Sequence, residues 1–230
     1  MHSWSQKINS YNRILDFKGS LPAGIRILNP FKNKTILSLT REFYNKYYND
    51  SNKRYLILGI NPGRFGAGLT GIPFTDPKRL ESVCRIKYTG KPTHEPSSDF
   101  IYQMIAAYGG PEKFYGRFFI NSVCPLGFTS VDEKGKETNF NYYDNRELQE
   151  AVYDFSIENI KTLLDMGVET STCFCFGTGK NEKILKAINK EHSFFDQIIS
   201  LEHPRFIMQY KAKTKELYIR KYLEAFELAI

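Results

Sequence analysis

Cysteine is scarce in this chain and poorly placed for its specialised uses. Its 230 residues include four, Cys84, Cys124, Cys173 and Cys175, and no two form a Cys-x-x-Cys pair. That spacing argues against an iron–sulfur cluster. Cys173 and Cys175 instead fall on one face of an apolar strand, where buried free thiols of a reduced compartment are expected. No apolar run approaches the roughly 18 residues of a membrane span. The start, Met1-His2-Ser3-Trp4-Ser5-Gln6-Lys7, lacks the apolar centre of a secretory signal. A cytoplasmic protein is therefore expected, nucleoid-associated if bacterial, with no membrane partner. Repeats, low-complexity tracts and linkers are also missing, so one domain over 1–230 is expected; the chain is expected to be a monomer. With 41% hydrophobic residues the chain is not disordered. The formal charge of +7 is a mild basic bias that suits a polyanion without identifying one.

What is present alternates between two periods. Short apolar runs at 55–60, 117–121, 172–176 and 196–201 read as buried strands. Between them lie helical segments with recognisable punctuation. Asp76-Pro77 offers an N-cap and a proline at the first helical position. Ser98 can cap a helix with Phe100, Ile101, Met104, Ile105 and Tyr108 on one face, closed by Gly109-Gly110. Asp144 and Glu147 read as a capping box opening a long helix that stops at Gly167. Another helix follows Gly179, and a last one carries Ile219, Leu223, Phe226 and Ile230. The fold class expected is α/β, a three-layer α/β/α sandwich with a central, mostly parallel four-stranded sheet. Ligands in such folds bind beyond the carboxyl ends of the strands.

The residues after each strand are accordingly the candidates. The first strand runs into Gly59-Ile60-Asn61-Pro62-Gly63-Arg64-Phe65-Gly66, followed at Thr70 by Thr-Gly-Ile-Pro-Phe ending in Phe74. The glycines do not fall as a dinucleotide fingerprint, and no Gly-Lys-Ser/Thr makes a Walker loop. Taken alone, this is a glycine-rich loop able to approach a ligand closely. The second strand ends in Asn121, ahead of Cys124-Pro125-Leu126. The third ends in Gly177-Thr178-Gly179 before a helix, either a plain turn or an N-terminus suited to a DNA phosphate. The fourth ends in Glu202-His203-Pro204-Arg205-Phe206. Lys211, Lys213, Lys215, Arg220 and Lys221 follow, with one acidic residue, Glu216, among them. They form either a solvated helix face or a phosphate-holding stretch.

These segments resemble the motifs of the single-strand-selective monofunctional uracil-DNA glycosylases. The first motif of that family reads G-x-N-P-G-x-F-G before T-G-x-P-F, and ten of sixteen positions match here without insertion. The second resembles N-x-C-P-L with one extra residue after Asn121. The third begins His-Pro but continues Arg205-Phe206 where the family has Ser-Pro-Arg-Asn-Pro, so the fit is to a divergent subgroup. The resemblance implies a base-excision repair enzyme that flips uracil out of DNA and hydrolyses its N-glycosidic bond. It implies Asn61 and His203 as catalytic residues, with Gly63, Phe74 and Asn121 binding the base. Gly177, Thr178, Gly179, Arg205, Phe206, Lys211 and Lys213 are the DNA-binding candidates, and Arg205 or Phe206 would fill the gap left by the flipped base. No lysine holds a motif position, so a Schiff base and strand cleavage are not expected, and the resemblance implies no metal and no cofactor. Gly63 is expected to leave room for 5-substituted uracils or deaminated purines. The rival readings are an α/β nucleotide-binding enzyme that uses the glycine-rich loop and a non-catalytic DNA-binding relative.

Overall fold

The computed structural model describes residues 2–228; Ile230, expected on the last helix, lies outside them. The chain opens with α1 (Trp4–Ile14), β1 (Ile25–Leu28), α2 (Lys34–Tyr47) and β2 (Tyr55–Gly59). Four helices follow: α3 (Ala67–Thr70), α4 (Pro77–Ser82), α5 (Pro96–Tyr108) and α6 (Pro111–Arg117). Next come β3 (Phe118–Ser122), β4 (Gly127–Val131), β5 (Glu137–Phe140), α7 (Arg146–Ala151) and α8 (Tyr153–Asp165). The last third alternates β6 (Glu169–Phe176), α9 (Lys180–His192), β7 (Gln197–Leu201), α10 (Pro204–Tyr210) and α11 (Lys215–Glu227).

The four apolar runs pair in parallel in the order β3-β2-β6-β7. Every residue of β2 is buried, as a central strand covered on both faces requires. Because β3 lies on one side of β2 and β6 on the other, the sheet changes winding direction between β2 and β6. A crevice opens there beyond the carboxyl ends. A second sheet was not anticipated. The antiparallel order β1-β4-β5 brings Ile25–Leu28 against Gly127–Ser130 and folds Glu137–Phe140 back over β4.

Two of the expected caps are placed differently. Asp76 does cap α4, accepting from Arg79 N–H at 2.8 Å. Ser98, however, lies inside α5, which starts at Pro96; its hydroxyl accepts from the Asp76 N–H instead. Asn145 rather than Asp144 caps α7, accepting from Leu148 N–H at 3.0 Å, while Asp144 accepts from Asn141 N–H. The long helix also breaks at Val152, whose φ −105° and ψ 7° leave the helical region, before α8 resumes. Gly109 and Gly167 close their helices at positive φ as expected.

The first fifty residues complete the core. Trp4 of α1 packs its ring 5.4 Å from Phe119 of β3. The Arg54 guanidinium is fully buried yet satisfied, pairing with Asp50 at 2.7 Å and donating to Tyr115 O at 2.7 Å. All four cysteines are free and buried. Burial pushes the Cys124 and Cys175 thiols up to about 12, which leaves them unreactive near neutral pH. Among the described residues no helix is long and apolar enough to cross a membrane.

Candidate active site

A cavity of about 320 Å³ opens at the crevice. Asn61, Gly63, Phe74, His203, Arg205 and Phe206, named from two stretches of sequence about 130 residues apart, all line it. The turn after β2 positions the first of these. Gly63 O accepts from the N–H groups of Gly66 and Gly68, at 3.3 and 2.8 Å, curling the loop back so that Asn61 faces inward. The Asn61 amide is then locked. Its oxygen accepts from Tyr142 N–H at 3.0 Å and its nitrogen donates to Phe140 O at 3.2 Å. Tyr142, 2% exposed, extends this support by donating from its hydroxyl to the buried Asn181 at 3.0 Å. One lone pair of the Asn61 oxygen stays free, so the side chain can hold a water in a fixed direction.

Phe74 stands over the switch point. Its ring lies 5.7 Å from Phe176 at the end of β6 and 5.5 Å from the His203 ring. Gly59 makes this possible, because a Cβ there would sit 3.0 Å from the Phe74 ring. Phe74 itself has φ 51°, a left-handed conformation costly for an aromatic residue. Strain of that kind persists where the surroundings hold it, and it is common at binding sites.

His203 is the N-cap of α10, followed by Pro204 at the first helical position. Its Nδ1 accepts from Arg205 N–H at 3.1 Å, so the proton of the neutral ring resides on Nε2. Burial, and secondly the Arg205 charge, push its pKa down to about 4. The ring is therefore a neutral donor at neutral pH. Following its titration by NMR should give a midpoint near 4. Arg205→Ala should raise that midpoint while leaving it below the ordinary 6.5, since burial is the larger cause. A wild-type midpoint near 6.5 would contradict the assignment. Because the folded-state value is depressed, the neutral ring's contribution to stability is full above about 6.5 and is lost as pH falls towards 4.

Several residues that sequence reasoning passed over also line the cavity: Glu95, Asn139, Phe140, Asn141 and Tyr210. Residues 139–141 come from the end of β5 and the turn after it. A hairpin signal was available there, a Gly135 turn between two short runs, and Gly135 does take φ 76°. Glu95 carries no sequence signal, standing in a loop between His94 and Pro96. Its carboxyl group lies against Gly63, where a Cβ would come within 2.9 Å of Oε1. The space expected beside Gly63 is thus filled by Glu95.

Other expected residues fall outside this cavity. Asn121 lines a small neighbouring cavity with Tyr11 and Asn12 of α1, and Pro62, Ala67, Pro73 and Ser122 wall both. The Asn121 oxygen accepts from Ser122 N–H at 2.7 Å. Gly177, Thr178 and Gly179 lie apart. The Gly177 N–H is bonded to Leu201 O at 2.8 Å, and the Glu182 carboxylate already faces Gly179 N–H at 3.5 Å. Lys211 and Lys213 are exposed just past α10. Lys221 is paired with Glu202 at 2.8 Å, so Glu216 is not the only acid serving that stretch. Phe206 and Tyr210, rings 5.3 Å apart, stand exposed at the rim.

The sequence model of the Uracil DNA glycosylase superfamily matches residues 45–227. The chain belongs to that superfamily. The wild-type SMUG2 protein of Pedobacter heparinus, known from its crystal structure, is 57% identical over 99% of this chain and 98% of its own, with a TM-score of 0.97. The protein is thus a DNA glycosylase, a hydrolase of N-glycosyl bonds resembling that divergent subgroup. Its parallel four-stranded sheet with flanking helices and a small antiparallel sheet is the architecture of the group.

Proposed function

We propose that the glycosylase removes uracil from DNA by monofunctional hydrolysis and leaves an abasic site. One observation carries this reading: a locked amide, Asn61, and a neutral imidazole donor, His203, face one cavity from the ends of two different strands. A base within a duplex cannot reach such a cavity, so the nucleotide must be extruded. Phe74 supplies a face for the flipped ring. Asn121, behind the shared wall of Pro62, Ala67, Pro73 and Ser122, reads the base once that wall opens to it. Its amide offers a donor for uracil O4 and, through the oxygen lone pair not used by Ser122 N–H, an acceptor for N3–H. Cytosine presents the reverse pattern and would leave both unpaired. As the bond to the sugar breaks, charge gathers on uracil O2, where the His203 Nε2–H donates. The water aligned by Asn61 attacks the sugar carbon. Phe206 or Arg205 at the rim fills the gap in the stack. Uracil-containing oligonucleotide treated with the protein and then hot alkali should break at the uracil position. Intact strands would favour a non-catalytic DNA binder, and tight mononucleotide binding without cleavage would favour a nucleotide enzyme.

DNA is held by charge as well as by the pocket. Lys211, Lys213 and Lys215 lie beyond the rim residues, with no carboxylate within 4 Å of them among the described residues. Duplex binding should weaken with salt at a slope of about −0.9 per phosphate contacted. Changing all three lysines to glutamine should flatten that slope, measured by titration across a salt series. An unchanged slope would mean they form only a solvated surface.

A further inference from the structure

The glycosylase reading leaves one step without an agent. Attack by water releases a proton, and the amide of Asn61 cannot take it near neutral pH. Nor can His203, whose Nδ1 is engaged by Arg205 N–H and whose Nε2 carries the ring proton. Arg205 has no acceptor lone pair. Among the described residues Glu95 is the one carboxyl group lining the cavity.

We propose that Glu95 is the general base of the reaction, accepting a proton from the water that Asn61 aligns. This rests on the glycosylase reading. A water O–H bond breaks as its oxygen bonds to the sugar carbon, and the proton passes to the Glu95 carboxylate. The glycosidic bond breaks with its electron pair remaining on the base, where the His203 donor stabilises the charge. The product base then regains a proton from solvent or from Glu95.

The surroundings of Glu95 are built for that role. Two glycines of the first motif, Gly63 and Gly66, open a slot for its carboxyl group. A Cβ at Gly63 would stand 2.9 Å from Oε1, and one at Gly66 would overlap the carboxylate. Gly63 is two residues from Asn61, on the same turn. The Glu95 backbone is pinned, its N–H donating to Asp76 Oδ2 at 2.7 Å. Burial, then the negative charge of Asp76, push its pKa up to about 7, while the Ser97 hydroxyl and the Arg205 charge oppose the rise. Asp76 is itself tied to Arg79 at 3.2 Å and faces His94 at 3.4 Å. The glycine loop adds no charge of its own, because Arg64 turns over the Phe65 ring and towards Glu137. Across the cavity His203 is neutral above about 4. A base poised near 7 is half ionised at physiological pH and accepts a proton readily, the balance general-base catalysis favours.

Single-turnover release of uracil from pH 5.5 to 8.5 tests this. The wild-type rate should climb about tenfold per pH unit at the acid end and level off above about 7. Glu95→Gln should be slower by about a hundredfold or more and show no such limb. Glutamine keeps the shape and removes a charge facing Asp76, so its melting temperature at pH 8 should not fall. Glu95→Asp retains a carboxylate set back by one methylene, and should keep the limb with a lower plateau. A Glu95→Gln enzyme as fast as wild type would overturn the proposal. So would a slow one that retains the limb, since another group would then be titrating. If Glu95→Gln does not fold, an aspartate variant lacking the limb overturns it too. A folded wild-type protein that releases no base at any pH would instead defeat the glycosylase reading on which the proposal rests.

Discussion

Replacing His203 with alanine should slow single-turnover release of uracil by about a hundredfold or more, with affinity for DNA little changed. The imidazole makes its decisive contact only as charge develops on the base, so its loss falls on the chemical step rather than on binding. A preorganised donor of this type contributes ~3 kcal/mol, which corresponds to a factor of about 150. The change also removes an N-cap, costing about 1 kcal/mol of stability, so the comparison belongs well below the melting temperature. Asn61→Ala should produce a loss of similar size by a different route. It frees the attacking water and leaves Tyr142 N–H and Phe140 O without their 3.0 and 3.2 Å partner. The two variants should differ in pH response. Asn61→Ala keeps the ascending limb assigned to Glu95, because the base remains while the water loses its alignment. Wild-type rates in both variants would remove these residues from the mechanism.

The parts of the fold legible in sequence are those dictated by local pattern. The four parallel strands announce themselves because each carries a short apolar run. Those runs are buried throughout in β2, almost throughout in β3 and over Thr172–Phe176 of β6, and buried only at Leu201 in the edge strand β7. The residues after them could then be singled out by a rule about where such sheets bind ligands, and Asn61 and His203 do face one cavity. The small sheet was invisible for the opposite reason. Ile25–Leu28 is short and partly exposed, and its partner Gly127–Ser130 is about a hundred residues away. No local period encodes such a pairing. Asp144 failed as a cap because its neighbour Asn145 is as good a capping residue, and only the folded turn shows Asp144 committed to Asn141. Glu95 is the largest omission. A glutamate before a proline looks like loop surface until the backbone of Gly63 and Gly66 is seen closing over its carboxyl group.

That closure decides what happens at Gly63. Read as sequence, glycine here leaves space beside the base, and a tyrosine in its place should suppress release of 5-hydroxymethyluracil and hypoxanthine far more than that of uracil. The structure changes the expected result: Gly63→Tyr should abolish release of all three bases. The new Cβ would begin 2.9 Å from Glu95 Oε1 and 3.7 Å from Asn139 Nδ2, so the ring cannot enter without moving one of them. Displacing Glu95 removes the proposed base. Displacing Asn139 breaks its 3.0 Å bond from Arg64 N–H and loosens the strand whose end holds Asn61. Either movement strikes the chemical step, which every substrate shares, and so the loss should not depend on the size of the base. Gly63→Ala is the graded version. The far end of a flexible glutamate can give way by some tenths of an ångström, so that variant should keep measurable activity at a reduced plateau. Matched oligonucleotides carrying uracil, 5-hydroxymethyluracil or hypoxanthine, followed in single turnover, provide the comparison. Selective loss of the two larger bases, with uracil release intact, would show that the tyrosine finds room in the cavity and that Gly63 sets its width.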